Sequence, residues 1–176
     1  DSLTCVVIVS ATDAAGTATQ QTITVTITDV NDQIPTVTVA ATYNHAEAAA
    51  TTFQTYTVTD TDTSGTYTCV LSGDDAADFT KTTSGKDCVV SFAANPNFEV
   101  PADNGGNNVY DLIITFSDGV TADVVKTTAI TVTDVNDQAP AFTSSNAISV
   151  AEAATAVVTL AAADTDTADS GGLTYA

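Results

Sequence analysis

The chain of 176 residues carries 22 acidic side chains against three basic ones, all lysine, for a formal net charge of −19. Phosphate contacts need Lys or Arg, so this balance argues against nucleic-acid binding and against attraction to an anionic membrane surface. No apolar run approaches the roughly 18 residues of a membrane span, and the abundant Ala, Val and Thr favour half-buried strands over helices.

Residues 3–12 and 19–28 read as two strands joined by a turn that holds Asp13 and Gly16. The second alternates Ile23, Val25 and Ile27 on one face with threonines on the other, the period-two signature of a strand with one wet side. The polar segment Asp29-Val30-Asn31-Asp32-Gln33-Ile34-Pro35 follows. It reads as a stiff linker, because Pro35 fixes its own φ and biases its neighbour to extended geometry. Candidate strands then fall near 36–41, 51–59, 66–72, 79–82, 88–92, 109–117 and 124–133. Seven short strands separated by regular turns predict an all-β fold, an immunoglobulin-like β-sandwich. A polar loop spans 95–108, after which Tyr110, Leu112, Ile114 and Phe116 alternate inward. No segment has a helical period. The Ala-rich stretches 46–53 and 151–158 read as extended, and His45 as an exposed strand residue.

The linker returns as Asp134-Val135-Asn136-Asp137-Gln138-Ala139-Pro140. Asp13, Asp29, Asn31 and Asp32 recur at Asp118, Asp134, Asn136 and Asp137, each displaced by 105 residues. Glu47 recurs at Glu152 with the same offset, and Asp60 and Asp62 recur at Asp164 and Asp166 one residue short of it. Acidic residues kept in phase while the residues between them drift suggest ion ligands rather than a solvated surface. The period divides the chain into the end of one repeat (1–33), a complete repeat (34–138) and the start of another (139–176), with sandwiches joined end to end. Cys69 and Cys88 fall in one repeat, on segments that could be neighbouring strands. A disulfide there would indicate an oxidising compartment; two buried free thiols are the alternative, and Cys5 is left over.

Taken in order, these elements resemble the cadherin repeat, and the resemblance covers essentially the whole chain. The two linkers are similar to the family's DxNDNxP segment, with Gln33 and Gln138 in place of its last Asn. Glu47 and Glu152 stand where the family has a lone Glu, and Asp60-Thr61-Asp62 and Asp164-Thr165-Asp166 resemble its DxD motif. Asn97-Phe98-Glu99 stands where the family has Asp-x-Glu, and residues 110–118 resemble its strand that ends in Asp118. The resemblance implies calcium bound between successive domains, a hard cation that takes roughly six to eight oxygen ligands. It assigns Glu47, Asn97, Glu99, Asp134, Asn136, Asp137, Asp164 and Asp166 to one junction, and Asp29, Asn31, Asp32, Asp60, Asp62 and Asp118 to the other. Asp13 and Glu152 are the same elements in the partial repeats. Asn97 replaces a carboxylate, which weakens one ion position, and the tryptophan that adhesive vertebrate cadherins use for strand exchange is absent. Without metal the clustered charges repel and the linkers flex; with it the domains lock into a rod.

Catalysis finds little support, since there is one histidine, no Gly-rich phosphate loop and no nucleophile–base set. His45 lacks the second His of a zinc helix, and acidic pairs that could imitate a glycosidase dyad lie on linkers with no predicted pocket. The leading expectation is a calcium-stiffened extracellular structural or adhesive fibre segment, secreted or at a cell surface. Its partners are other copies or adjacent repeats of the same chain. The alternative is a carbohydrate- or protein-binding module carried on the array, although Tyr43, Phe53 and Tyr56 are scattered; an enzyme's accessory domain is a third. The partial repeats fit a window on a longer array better than strand addition between copies into a filament, because a hybrid domain lacks the residues matching 69–110. The 35 threonines supply β-propensity on wet faces and are candidates for O-glycosylation, whereas no Asn-x-Ser/Thr sequon occurs.

Overall fold

The computed structural model describes residues 3–62, 65–166 and 172–175, so the expected third strand of the last repeat lies partly outside the described residues. Strand β1 (Leu3–Thr12) turns back into β2 (Ala18–Ile27), and the two pair antiparallel from Leu3↔Ile27 to Thr12↔Ala18. There follow β3 (Thr42–Ala46), β4 (Thr52–Thr57), β5 (Thr68–Ser72), a 3-10 turn (Ala76–Asp78) and β6 (Phe79–Ser84). Next are β7 (Asp87–Phe92), β8 (Val109–Ser117), β9 (Val124–Thr133) and the two-residue strands β10 (Ala141–Phe142) and β11 (Ala162–Ala163).

Strands β3 to β9 form a sandwich of two sheets, β3-β9-β8-β5 and β4-β7-β6. The β3–β9 pair is parallel and the others are antiparallel. The strict alternation of β8 produces the inner face: Tyr110, Leu112, Ile114 and Phe116 are buried against Ile130 and Val132 of β9 and Val90 and Phe92 of β7. Each such side chain contributes about 1.5–3 kcal/mol on leaving water. Phe92 lies 4.6 Å from Phe79 and 5.3 Å from Tyr110, the latter edge-on as ring quadrupoles favour. Gly73 is a position only glycine fills: its φ is +107°, and a Cβ there would come within 3.0 Å of the Asp111 carbonyl oxygen.

Several expectations are corrected. No strand forms over 36–41, where a single bridge, Thr36↔Thr59, is made; β3 begins at Thr42, once Ala129 N donates to Ala41 O and β9 becomes available as a partner. The Ala-rich stretch after β3 is a turn rather than a strand, with Ala48 at φ 56°, and its counterpart Ala153 adopts φ 68°. His45 is half-buried, its ring 4.9 Å from Phe92. Cys69 and Cys88 do form a disulfide, but β5 and β7 are not neighbours; they lie in opposite sheets, and the bond staples the sandwich through its core.

The repeat is visible in the pairings. The bridge Thr36↔Thr59 returns as Ala141↔Ala163, with Phe142↔Ala162 beside it. Among the described residues, the flanking segments form the two-stranded sheets β1-β2 and β10-β11. Every residue of the β1–β2 hairpin is exposed, including Val7, Val9, Ile23, Val25 and Ile27. Residues 145–160 join no sheet.

Candidate metal centre

The parallel β3–β9 pairing delivers Glu47 to the end of the sandwich. Its backbone N–H donates to the Thr133 carbonyl (3.1 Å), and its carboxylate accepts from Val135 N (2.8 Å) and Phe98 N (2.7 Å). The side chain is 2 % exposed. One carboxylate thereby fixes the start of the second linker and the loop carrying Glu99. Glu47, Glu99 and Asp134 offer oxygens within 4.8 Å of one another, and Glu99, Asp137 and Asp166 form a second such group. Glu99 belongs to both. Its two oxygens are buried and accept no hydrogen bond, as do Asp166 Oδ1 and Asp164 Oδ2. Buried carboxylate oxygens without donors are costly, and a cation is the partner that this chemistry admits. Burial pushes the Glu99 carboxyl above its ordinary range; its own backbone N–H pulls in the opposite direction, and the nearby charges of Glu47, Asp166 and Asp134 raise it further.

Asp166 is 1 % exposed and accepts from Gln138 N (2.9 Å), while its own N–H donates to Asp164 Oδ1 (3.1 Å). The first junction repeats this arrangement. Asp62 Oδ2 accepts from Asp32 N (2.9 Å) and Gln33 N (2.7 Å), and Asp62 N donates to Asp60 Oδ1 (3.0 Å). One terminal atom of the Asn31 amide lies 3.0 Å from Asp118 Oδ2 and 3.1 Å from Asp62 Oδ2; as nitrogen it donates to both, whereas as oxygen it completes an all-acceptor cluster that a cation would hold. Asp118 accepts from Val120 N, Thr121 N and the Thr121 hydroxyl, and these donors hold its carboxyl below the usual range.

Other sequence-predicted residues stand apart. Asp13 caps the β1–β2 turn by accepting from Ala15 N (2.9 Å) and Thr17 N (2.8 Å). Asn97 is exposed, with its oxygen engaged by Val100 N (2.8 Å). Glu152 is exposed on its turn, and Asp29 and Asn136 lie on the two linkers, where each is engaged in an interaction. Gln33 and Gln138, read in the sequence only as departures from a motif, have a positioning part: their side-chain amides donate to Asp32 Oδ1 (2.7 Å) and Asp137 Oδ1 (2.6 Å). Their recurrence at the same place in both linkers was the available signal. The aromatics considered for a recognition surface pack inward instead, Tyr43 edge-on to Phe53 at 4.8 Å and Tyr56 against Phe116.

Among known structures, human CDH23 EC21-23 matches at a TM-score of 0.62 and 18 % identity, covering 93 % of this chain and 54 % of that one. The protocadherin gammaB7 EC3-6 cis-dimer structure matches at 0.59 and 20 % identity, covering 93 % and 40 %. Mouse clustered PcdhgC3 EC1-3 matches at 0.56 and 22 % identity, covering 93 % and 54 %. The chain thus spans about half or less of the length of each. No protein-family model and no characterised protein sequence matches it. The fold is that of the cadherin repeat, an immunoglobulin-like β-sandwich.

Proposed function

We propose that this chain is a calcium-stiffened segment of an extracellular structural or adhesive fibre, made of cadherin-like repeats at 1–33, 34–138 and 139–176. The observation that carries this reading is the pair of acidic groups sharing Glu99, drawn from the sandwich (Glu47, Glu99), the linker (Asp134, Asp137) and the following segment (Asp166). Carboxylates contributed from both sides of a linker convert mutual repulsion into a bridge when a hard cation enters. Glu47, Glu99, Asp134, Asn136, Asp137, Asp164 and Asp166 would hold calcium at the second junction. Asp29, Asn31, Asp32, Asp60, Asp62 and Asp118 would serve the first, and Asp13 and Glu152 the corresponding places of the adjoining repeats. Asn97, with its oxygen already engaged, contributes least. Calcium supplies charge neutralisation and rigidity here; the chain supplies the oxygens and the backbone donors that aim them.

The fibre reading extends to lengthwise association, of adjacent repeats or of separate copies head to tail, because successive repeats meet at linkers whose acidic groups draw on both sides. One of the similar structures is described as a protocadherin cis-dimer, so the fold supports contact between copies elsewhere. The disulfide favours an oxidising, extracellular setting, where exposed threonines such as Thr22, Thr24 and Thr26 could carry O-glycans. Small-angle scattering and electron microscopy with and without chelator test the reading. Stiff rods in calcium that become flexible on chelation support it. A shape indifferent to calcium, together with no calorimetric binding, rejects it.

A further inference from the structure

Glu99 stands on the long connection between β7 and β8, residues 93–108, which contains no strand or helix. Ordering such a run costs conformational entropy, and connections of this length are uncommon without a role. The peptide units around Glu99 are nonetheless held from three sides. Phe98 N donates to Glu47 Oε2 (2.7 Å), Val100 N donates to Asn97 Oδ1 (2.8 Å), and Asn108 Nδ2 donates to the Phe98 carbonyl (2.9 Å). The last of these bonds ties the loop to the sheet. Asn108 directly precedes β8, and its own carbonyl accepts from Val132 N of β9 (2.8 Å). It is buried and adopts φ 62°, a left-handed conformation that Asn tolerates better than most side chains with a Cβ.

Two buried carboxylates support Asn108 from behind. Asp103 Oδ1 accepts from Asn108 N (2.8 Å) and Asp103 Oδ2 from Asn107 N (3.0 Å). Asp75, at the start of the 3-10 turn, accepts from Asn104 N and Asp111 N (both 2.6 Å), which pins the same loop to β8. Both acids have each oxygen engaged by a backbone donor, whereas the two oxygens of Glu99 accept no hydrogen bond. Asp75 and Asp103 build the loop, and Glu99 is what the loop presents. We propose that Asn108 is a positioning residue of the metal centre: by holding the Phe98 carbonyl it sets the backbone from which Glu99 projects between the two acidic groups. The peptide unit is planar, so fixing Phe98 O also fixes Glu99 N–H and the Glu99 Cα. A carboxylate shared by two ion positions has little slack, because a displacement toward one group withdraws it from the other. This inference rests on the calcium reading above and adds to it a residue that acts through a ligand.

Calcium titration followed by nuclear magnetic resonance tests this role. The backbone amides of Gln138 and Gln33 report the second and first junctions through their bonds to Asp166 and Asp62. Asn108→Gly keeps the left-handed backbone and removes the amide. The expected result is a calcium midpoint at Gln138 raised by about tenfold. The Gln33 midpoint should stay put, since Asp118 lies about 30 Å away at the other end of β8. In a Glu99→Gln background the same substitution should shift the Gln138 midpoint by less than about twofold, because the group it positions has gone. An unmoved Gln138 midpoint in the single variant overturns the proposal. An equal shift in both backgrounds does so too, and leaves Asn108 a support of the fold alone. Should Asn108→Gly unfold in chelator, seen as collapsed amide dispersion, Asn108→Asp takes its place in the same cycle. That variant keeps the tolerance of positive φ and sets an acceptor against the Phe98 carbonyl. A Gln138 amide that ignores calcium in the unmodified chain sinks the calcium reading and this one with it. A calcium response that neither variant alters sinks this one alone.

Discussion

Both oxygens of Glu99 are buried without a donor, and both acidic groups contain it. Glu99→Gln therefore removes a charged ligand from two positions at once. Calcium affinity, read by calorimetry, is expected to fall by about tenfold or more, while thermal stability in chelator holds or rises because one like charge has gone. An unchanged calcium affinity would place the ion elsewhere. The pH dependence has two signs. In the metal-free chain, a carboxyl raised above its ordinary 4.5 contributes stability below that value, lost as pH rises through the raised one. Calcium binding needs the carboxylate, so it weakens as pH falls through the same raised value, and Glu99→Gln should flatten that part of the profile. Asp118 behaves oppositely: its depressed carboxyl contributes stability above the ordinary 3.8, lost only as pH falls through the lower value. The acidic positions were legible because they recur in phase, a property that survives without coordinates. Their grouping came from the resemblance, which assigned Glu47, Glu99, Asp134, Asp137 and Asp166 to one junction; the part of Asn97 was not legible. Asn97 occupies a motif position, yet its oxygen is taken by Val100 N, a bond set by the local turn rather than by the spacing of motifs.

At the level of elements, the Cys69–Cys88 bond closes a loop of 19 residues and joins the two sheets. Replacing both cysteines with Ala should cost about 3 kcal/mol by the chain-entropy estimate, seen as a lower urea midpoint with a somewhat steeper slope, because the unfolded chain is no longer cross-linked. A midpoint that does not move would mean that core packing alone sets the sheet spacing. Phe92→Ala, which empties the contact among Phe79, Tyr110 and His45, should cost about 3–5 kcal/mol in the same assay. The alternation of Tyr110, Leu112, Ile114 and Phe116 could be read directly, since a two-residue period has one interpretation when one face is apolar. The first strand could not. Val37 and Val39 alternate and are partly buried, but the ladder between this segment and β9 starts only at Thr42↔Ala129, so a suitable pattern found no partner before Thr42. The disulfide was legible as a pair, but its placement across the sheets depended on topology, which cysteine spacing does not encode.

For the whole molecule the governing quantity is a net charge of −19, with 11 of the 22 acidic residues assigned to the two junctions. Monovalent salt and calcium should act on it differently. Salt screens charges beyond a Debye length of about 10 Å at 0.1 M, so it can relieve repulsion between exposed carboxylates. It reaches poorly into a group whose oxygens lie within 4.8 Å of one another and are largely shielded from solvent. In chelator, the melting temperature should rise with sodium chloride between about 0.01 and 0.5 M while scattering still reports flexing junctions. Calcium in the range of about 10⁻⁴–10⁻³ M should stiffen the junctions and flatten the salt dependence. Magnesium at the same concentration should do neither, because it demands near-ideal octahedral geometry and gives up its water reluctantly. If sodium chloride alone reproduces the calcium state, the acidic groups are repelling surfaces and not a binding site. If magnesium substitutes fully, the oxygens are too loosely held to select a cation by size, and the backbone donors on Glu47 and Asp166 do not confer the preorganisation their geometry implies.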